Sequence, residues 1–234
     1  MHLIEAIRGA FALLFSGDAA LWQIIWVSVK TSTVALLIAT PVAILIGYSI
    51  AAHKFRGKRI VIWLTQASLS LPTVMIGLLL YLLLSRQGPL GSLQWLFTQS
   101  GVVFGQALIA TPVLVAFTLA AVQAADVRIA ETAITLGASR WRTMFTVLHE
   151  VRFGVMAAII NGFGRVIAEV GSAIMVGGNI EGQTRTITAA IALETSKGEF
   201  AQGIALGIVL LAIALIINAL LMVLQGDVQS ATGA

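Results

Sequence analysis

The sequence predicts an all-α integral membrane protein with five membrane-spanning helices, and three observations predict it. Of the 234 residues, 59% are hydrophobic and 10% charged, against about 25% charged in ordinary soluble domains. Mean hydropathy is +0.98, and the apolar residues fall into runs long enough to cross the ~30 Å hydrocarbon core of a bilayer. The basic residues gather in short stretches beside those runs, which is how charge orients membrane helices. The net charge of +4 is therefore read as topology, and no nucleic-acid partner is expected. There are no cysteines, which excludes disulfides and thiolate metal sites. Nearly all the length goes into spans, so one membrane domain is expected over 24–225, preceded by a segment 1–23 and followed by a tail 226–234.

Taken in order, residues 1–23 contain an apolar run broken by Glu5 and Arg8. It is too short and too charged to span and lacks the basic start of a cleavable signal. An interfacial amphipathic helix is expected, with a poorly formed extra span as the alternative. The first span covers 24–52; Lys30, Thr31, Ser32 and Thr33 lie in its first turns, where a lysine can snorkel to the interface. Pro41 predicts a loosening or kink. A dense basic loop follows from His53 to Arg59. The second span, 61–84, carries Gln66, Ser68, Ser70 and Pro72, and Pro72 predicts a bend whose freed backbone groups need local partners. Turn signals at Gly88-Pro89 and Gly91 mark a loop. The third span, 102–122, contains Pro112. A charged segment, 126–152, separates it from the fourth span, 153–176, and the fifth covers 203–224. Between the last two, 177–199 is polar, with a short helix expected near 186–195.

Charge orients these spans. Lys54, Arg56, Lys58 and Arg59 share one loop, and Arg128, Arg140, Arg142 and Arg152 share another, two spans later. The loop between them has only Arg86, and the last is acidic overall, with Glu181, Glu194 and Glu199 against Arg185 and Lys197. The positive-inside rule puts both basic loops in the cytoplasm, the N-terminus outside and the C-terminus inside.

The segment from Glu131 to Leu148 reads as helix, tight turn, helix at the membrane surface. Trp141, Met144, Phe145 and Leu148 recur at helical spacing, with Arg140 and Arg142 off that face. Gly137 interrupts the pattern, and Ser139 is placed to cap the second helix. Read from its residues alone, it is either a surface hairpin packed on its own protein or a docking element for a partner.

Glu131-Thr132-Ala133 followed by Gly137-Ala138-Ser139-Arg140-Trp141 resembles the EAA loop of the membrane permeases of bacterial and archaeal ABC importers. In that family the pattern is Glu-Ala-Ala, three residues, then Gly. The resemblance implies a type I importer permease (MetI-like) fold in a plasma membrane. It also implies a coupling hairpin between helices three and four that docks in a groove of a cytoplasmic ABC ATPase dimer. Further implied partners are a second copy of the chain and an extracytoplasmic oxyanion-binding protein. Small residues at Ala133 and Gly137 fit a close approach of the two arms and a sharp turn. The apolar face can fill a partner's groove while arginines form its rim. Thr132 stands where the family has its middle alanine, and His149-Glu150-Val151 where it has a closing proline.

Two further stretches resemble the oxyanion permeases for molybdate, sulfate and tungstate. They are Ser70-Leu71-Pro72-Thr73-Val74-Met75-Ile76-Gly77 with Ser85-Arg86-Gln87-Gly88-Pro89-Leu90-Gly91, and Ala168-Glu169-Val170-Gly171-Ser172 with Gly177-Gly178-Asn179-Ile180-Glu181-Gly182. The continuation through Glu194 to Phe200 is most similar to tungstate permeases. The likeness covers most of 60–225 and implies import of tungstate, with molybdate or sulfate as the alternative.

Ionisable groups inside a span are costly and usually functional. Asn161, Arg165 and Glu169 recur every four residues, with Ser172 three further on, which predicts one polar stripe down the fourth span. Arg165 and Glu169 can neutralise one another. Either the stripe borders a translocation path, with Arg165 lending positive potential for a dianion, or it is a buried pair that holds helices together. Gly162, Gly164 and Gly171 beside it would let a neighbouring helix come close. Gln66, Ser68, Ser70, Thr73, Gln106, Thr111 and Thr118 are further candidates, though such groups more often bond helix to helix.

There is no Gly-x-x-x-x-Gly-Lys-Ser/Thr phosphate loop, no metal-ligand cluster and no nucleophile-base pair. No catalysis and no cofactor are expected in this chain; the family resemblance implies ATP and Mg in a partner ATPase subunit. The reading from a different class is an ion-coupled carrier, which predicts paired carboxylates or broken helices at matching positions of two inverted halves. The sequence has no such repeat.

Overall fold

Capping residues set where the helices begin. The computed structural model describes residues 3–232, and the described residues form α-helices and one short 3-10 turn, Gly91–Leu93, with no strand. In a membrane that is the economical solution, because a helix satisfies its own backbone groups. Helix α1 spans Leu3–Phe15, α2 Ala19–Ala52, α3 Lys58–Ser68, α4 Thr73–Leu84 and α5 Gln99–Ala124. Then come α6 (Val127–Thr135), α7 (Arg140–Glu150), α8 (Arg152–Ile167), α9 (Gly171–Gly177), α10 (Ile187–Lys197) and α11 (Phe200–Thr232). Asp18, Thr98, Asp126, Ser139 and Thr186 each accept a backbone N–H from the first turn that follows, satisfying donors that a helix start leaves free.

Helix α5 is the centre. Helix α2 lies along one side and α8 along another, joined through a core of Leu36, Ala39, Ala43, Ala110, Leu114, Val115, Ala158 and Val166. The α2–α5 crossing is tightest at Gly47, where a Cβ would stand 2.9 Å from the Thr118 Cβ and 3.0 Å from the Val115 carbonyl. Gly162 meets the side chains of Leu114 and Leu36. Small residues at such points let backbones approach and gain dispersion contact, the main attraction available between helices in lipid. A second core of Ala10, Leu21, Ile24, Ile187, Ala190, Ala205 and Leu206 gathers α1, α10 and α11 around the N-terminal end of α2.

Among the described residues, three single helices are long and apolar enough to cross a membrane: Ala19–Ala52, Gln99–Ala124 and Phe200–Leu220. Pro41 and Pro112 sit inside α2 and α5, which continue as helix on both sides of them. The second expected span, 61–84, is not one helix. It is α3 and α4 meeting at 96°, with Ser68 to Pro72 at the corner, so Pro72 marks a break rather than a bend. The fourth, 153–176, is also divided: α8 ends at Ile167 and α9 starts at Gly171. At 16 residues, α8 is roughly 24 Å long and falls short of the bilayer core by itself.

Helix α11 continues through 226–232, so that part of the expected tail is helical; residues 233–234, like 1–2, lie outside the described residues. Within 1–23, α1 is a separate helix whose Gly9 faces Ala201 of α11, while Phe11 and Phe15 stay exposed.

Candidate functional site

The charged segment folds as helix, turn, helix. Asp126 starts α6, its carboxylate accepting the Arg128 N–H at 2.9 Å and the Arg128 guanidinium at 2.6 Å. The Arg128 guanidinium, then its backbone N–H, holds the Asp126 carboxyl below its ordinary value. The turn closes on Gly137, at φ +82°, where an L side chain would be strained. Its Ala138 N–H returns to the Ala133 carbonyl at 2.9 Å, and Ser139 Oγ caps α7. Ala133 is buried, which fits the expected close approach of the arms. A Cβ on Gly137 would meet nothing within 4 Å, so glycine is needed there for conformation and not for space.

The apolar face of α7 divides in a way periodicity does not reveal. Met144 packs inward with Thr143 and Val147, whereas Trp141 and Phe145 are 65% and 64% exposed. Three residues outside the sequence-derived set join them at the surface: Val127, Ile134 and Leu136. Their only sequence signal is position, since Ile134 and Leu136 flank the turn glycine. Glu131, Thr132, Arg140 and Arg142 are exposed around this patch. An open cleft of about 800 Å³ separates the hairpin from the last turns of α2, with Tyr48, Ala52 and His53 on one wall and Ile134, Arg140 and Trp141 on the other. The hairpin and the 53–59 basic loop therefore share one end of the molecule. At the opposite end, Gln23 and Gln99 donate to the carbonyls of Gly182 and Gln183 at 3.0 and 2.8 Å.

The intramembrane polar residues do not lie on one continuous helix, since α8 ends at Ile167, between Arg165 and Glu169. Asn161 is exposed and donates to the Ala157 carbonyl of its own helix. Arg165, in the last turn of α8, places Nη1 3.3 Å from Glu169 Oε2. Glu169 lies beyond the helix end, in the break, and is 2% exposed. Its other oxygen accepts the Ser172 N–H at 3.1 Å, and its carbonyl accepts the Thr188 hydroxyl at 2.6 Å. One buried carboxylate thus ties α8 to α9, and its backbone ties the break to α10. Charge-assisted bonds of this kind offset part of the cost of burial. Gly171 approaches Val74 at the start of α4, its Cβ position 3.1 Å from the Val74 nitrogen, so the two breaks touch. Gly164 faces open space instead.

Arg165 also lines a cavity of about 220 Å³ at the α3–α4 corner, with Ser68, Leu71, Thr73 and Pro112. Ser68 and Thr73 are thereby brought to Arg165; Gln66 and Ser70 are not among the residues lining it. Gln106 is buried between α2 and α5 and donates to Ser32 Oγ at 3.4 Å, and Thr118 is buried in the same interface. Thr111 bonds the Ala107 carbonyl. Gln106 and Thr118 thus bond or pack helix to helix, whereas Thr111 bonds within its own helix.

Residues 39–230 match the family described as binding-protein-dependent transport system inner membrane component. The chain belongs to this family. It is a membrane permease subunit of the ABC importer class, with the MetI-like all-helical fold. It is 36% identical over 226 residues to the tungstate uptake system permease protein TupB of Peptoclostridium acidaminophilum, covering 97% of this chain and 99% of that one. It is 31% identical over 188 residues to the molybdenum transport system permease protein ModB of Escherichia coli K12, covering 76% and 82%. Among solved structures, a bacterial ABC transporter involved in the import of the acidic polysaccharide alginate superposes with a TM-score of 0.67 at 18% identity, covering 94% of this chain and 82% of that one. That likeness concerns the fold alone. The carrier reading called for paired carboxylates or broken helices at matching positions of two inverted halves; the family places the permease in the ABC class instead.

Proposed function

We propose that this permease forms the membrane path of a tungstate importer in the plasma membrane of a bacterium or archaeon. In that assembly two copies pair, an ABC ATPase dimer docks on the cytoplasmic hairpins, and an extracytoplasmic binding protein delivers the oxyanion. ATP and Mg are bound by the ATPase subunits. The observation that carries the coupling role is the hairpin surface. Val127, Ile134, Leu136, Trp141 and Phe145 are exposed together, at the end that carries both basic loops, with Arg140 and Arg142 beside them. An apolar centre with a charged rim suits a partner's groove. Glu131, Thr132, Ala133 and Gly137 to Trp141 form and flank the turn that presents it.

The tungstate assignment is supported by the tungstate-named relative aligning over nearly the whole of both chains. Along the path, Arg165 supplies positive potential at the α3–α4 corner. Glu169 partly neutralises it, so a dianion is attracted without being held. Asn161 and Ser172 stand on the exposed and buried sides of that pair. Discrimination between tungstate and molybdate, nearly equal in size and charge, falls to the binding protein; molybdate is the second reading because of the molybdenum-named relatives.

The deciding experiment is ATPase activity of the reconstituted complex with its binding protein, titrated with tungstate, molybdate and sulfate. Stimulation by tungstate at the lowest concentration is expected; stimulation by sulfate alone would overturn the substrate. If the gently extracted permease brings down no ATPase and transports without ATP, the coupling role fails.

A further inference from the structure

Helix α2 has 34 residues and is roughly 50 Å long, well beyond a ~30 Å hydrocarbon core. The basic loop begins directly after Ala52, and Leu21, Ile24 and Ile25 are packed against α1, α10 and α11, so the excess length lies at the N-terminal end. About 20 residues counted back from Ala52 end close to Lys30, which places this lysine at the boundary opposite the basic loop. Trp26 and Trp22, 65% and 55% exposed about one and two turns further out, fit an interfacial aromatic belt.

Below Lys30 is a groove of about 440 Å³ between α2 and α5, walled by Val34, Ile38, Val103, Phe104 and Ala107 and topped by Trp95. It opens sideways along Val34 and Ile38, which are 38% and 56% exposed. Lys30, Gln99 and Ser100 form its rim, and no carboxylate lines it. Among the described residues Lys30 enters no salt bridge; its Nζ donates to the side-chain Oε1 of Gln99, at 3.0 Å, and to no other protein acceptor there. The Gln99 amide nitrogen is occupied by the Gln183 carbonyl, which fixes the amide's orientation. An ammonium has three donors, so two remain without a protein acceptor, directly above an apolar slot that faces hydrocarbon.

We propose that this groove holds one anionic phospholipid of the outer leaflet. Its acyl chain lies along Val34, Ile38, Phe104 and Ala107, and its phosphate rests on Lys30 and the Ser100 hydroxyl. A headgroup bearing its own ammonium is disfavoured there by Lys30. Because Gln99 links Lys30 to the 178–186 loop, the lipid braces that loop against α2 and α5. The site is independent of which anion is carried.

The test is native mass spectrometry of the delipidated full-length protein in mild detergent. Phosphatidylglycerol and phosphatidylethanolamine with the same chains are added in turn. One retained phosphatidylglycerol per chain is expected, in preference to phosphatidylethanolamine. Lys30→Gln should weaken retention about fivefold, Lys30→Arg should preserve it, and Lys54→Gln in the basic loop should leave it unchanged. Ala107→Trp, which fills the slot, should lower retention of both lipids. Wild-type retention in Lys30→Gln overturns the headgroup contact. Wild-type retention in Ala107→Trp overturns the acyl slot, and does so even where Lys30→Gln does not yield folded protein. Displacement of the lipid by millimolar inorganic phosphate would mean a free-oxyanion site in its place.

Discussion

Glu169 joins three elements: its carboxylate meets Arg165 of α8 and the Ser172 N–H of α9, and its carbonyl accepts the Thr188 hydroxyl of α10. Spacing of four put it on a helix face with Arg165, and that spacing presumes an unbroken helix. In the fold it stands in the break and caps α9, a job that depends on the helix having ended. Replacing it by alanine strands Arg165 and frees the Ser172 N–H. Because Arg165 is 40% exposed and screened accordingly, the expected loss is about 1–3 kcal/mol. Thermal unfolding of the purified protein should show a lower midpoint for Glu169→Ala than for Glu169→Gln, which keeps an acceptor for the cap. Equal midpoints would remove the capping role. Gly137 was legible throughout: an isolated glycine between two amphipathic arms is a turn signal. Since only its positive φ matters, Gly137→Asn should retain ATPase binding while Gly137→Val loses it. Co-purification with the ATPase checks both, and loss of binding in the Asn variant would mean that positive φ is not what Gly137 supplies.

At the scale of elements, caps and hydropathy located helices well and described their continuity poorly. Ser139 and Thr186 mark starts because the hydroxyl of an extended residue can satisfy an orphan N–H of the helix that follows. The breaks at 69–72 and 168–170 are less visible, since one proline is compatible with a kink or a corner and Ala168-Glu169-Val170 contains no helix breaker. For α6, Asp126 supplies both cap and ion pair. Its folded value is depressed, so the cap's contribution is present above its ordinary value of 3.8 and is lost as pH falls through the lower one. On the proposed coupling role, binding of an ATPase subunit to the hairpin should therefore be flat from about pH 8 to pH 5 as far as Asp126 is concerned. Asp126→Ala should weaken binding throughout that range, and Asp126→Asn, which keeps a side-chain acceptor, should weaken it less. A midpoint for wild type within the range, absent from Asp126→Asn, would contradict this.

The whole molecule carries its polarity in two ends. The basic loop and hairpin share one, and the 178–186 loop, held by Gln23 and Gln99, marks the other. The natural absence of cysteine makes the topology directly measurable. Single cysteines at Lys54 or Arg140 should react with an impermeant maleimide only after permeabilisation; a cysteine at Glu181 should react in intact cells. Labelling of all three from the same side would refute the orientation assigned by charge.

Hydropathy and charge by themselves determined that this chain is a helical membrane protein, where its apolar runs lie and which end is basic, because burial in lipid and the asymmetry of basic loops act on composition over short windows. The hairpin was likewise legible, since its turn and cap are local. Only the tertiary structure decided that two expected spans are broken, that Trp141 and Phe145 face outward while Met144 packs inward, and that Arg165 meets the corner beside Pro72. Those outcomes depend on which helices lie against α5 and on how a buried carboxylate is satisfied. The partners involved are distant along the chain, so no window of sequence contains them.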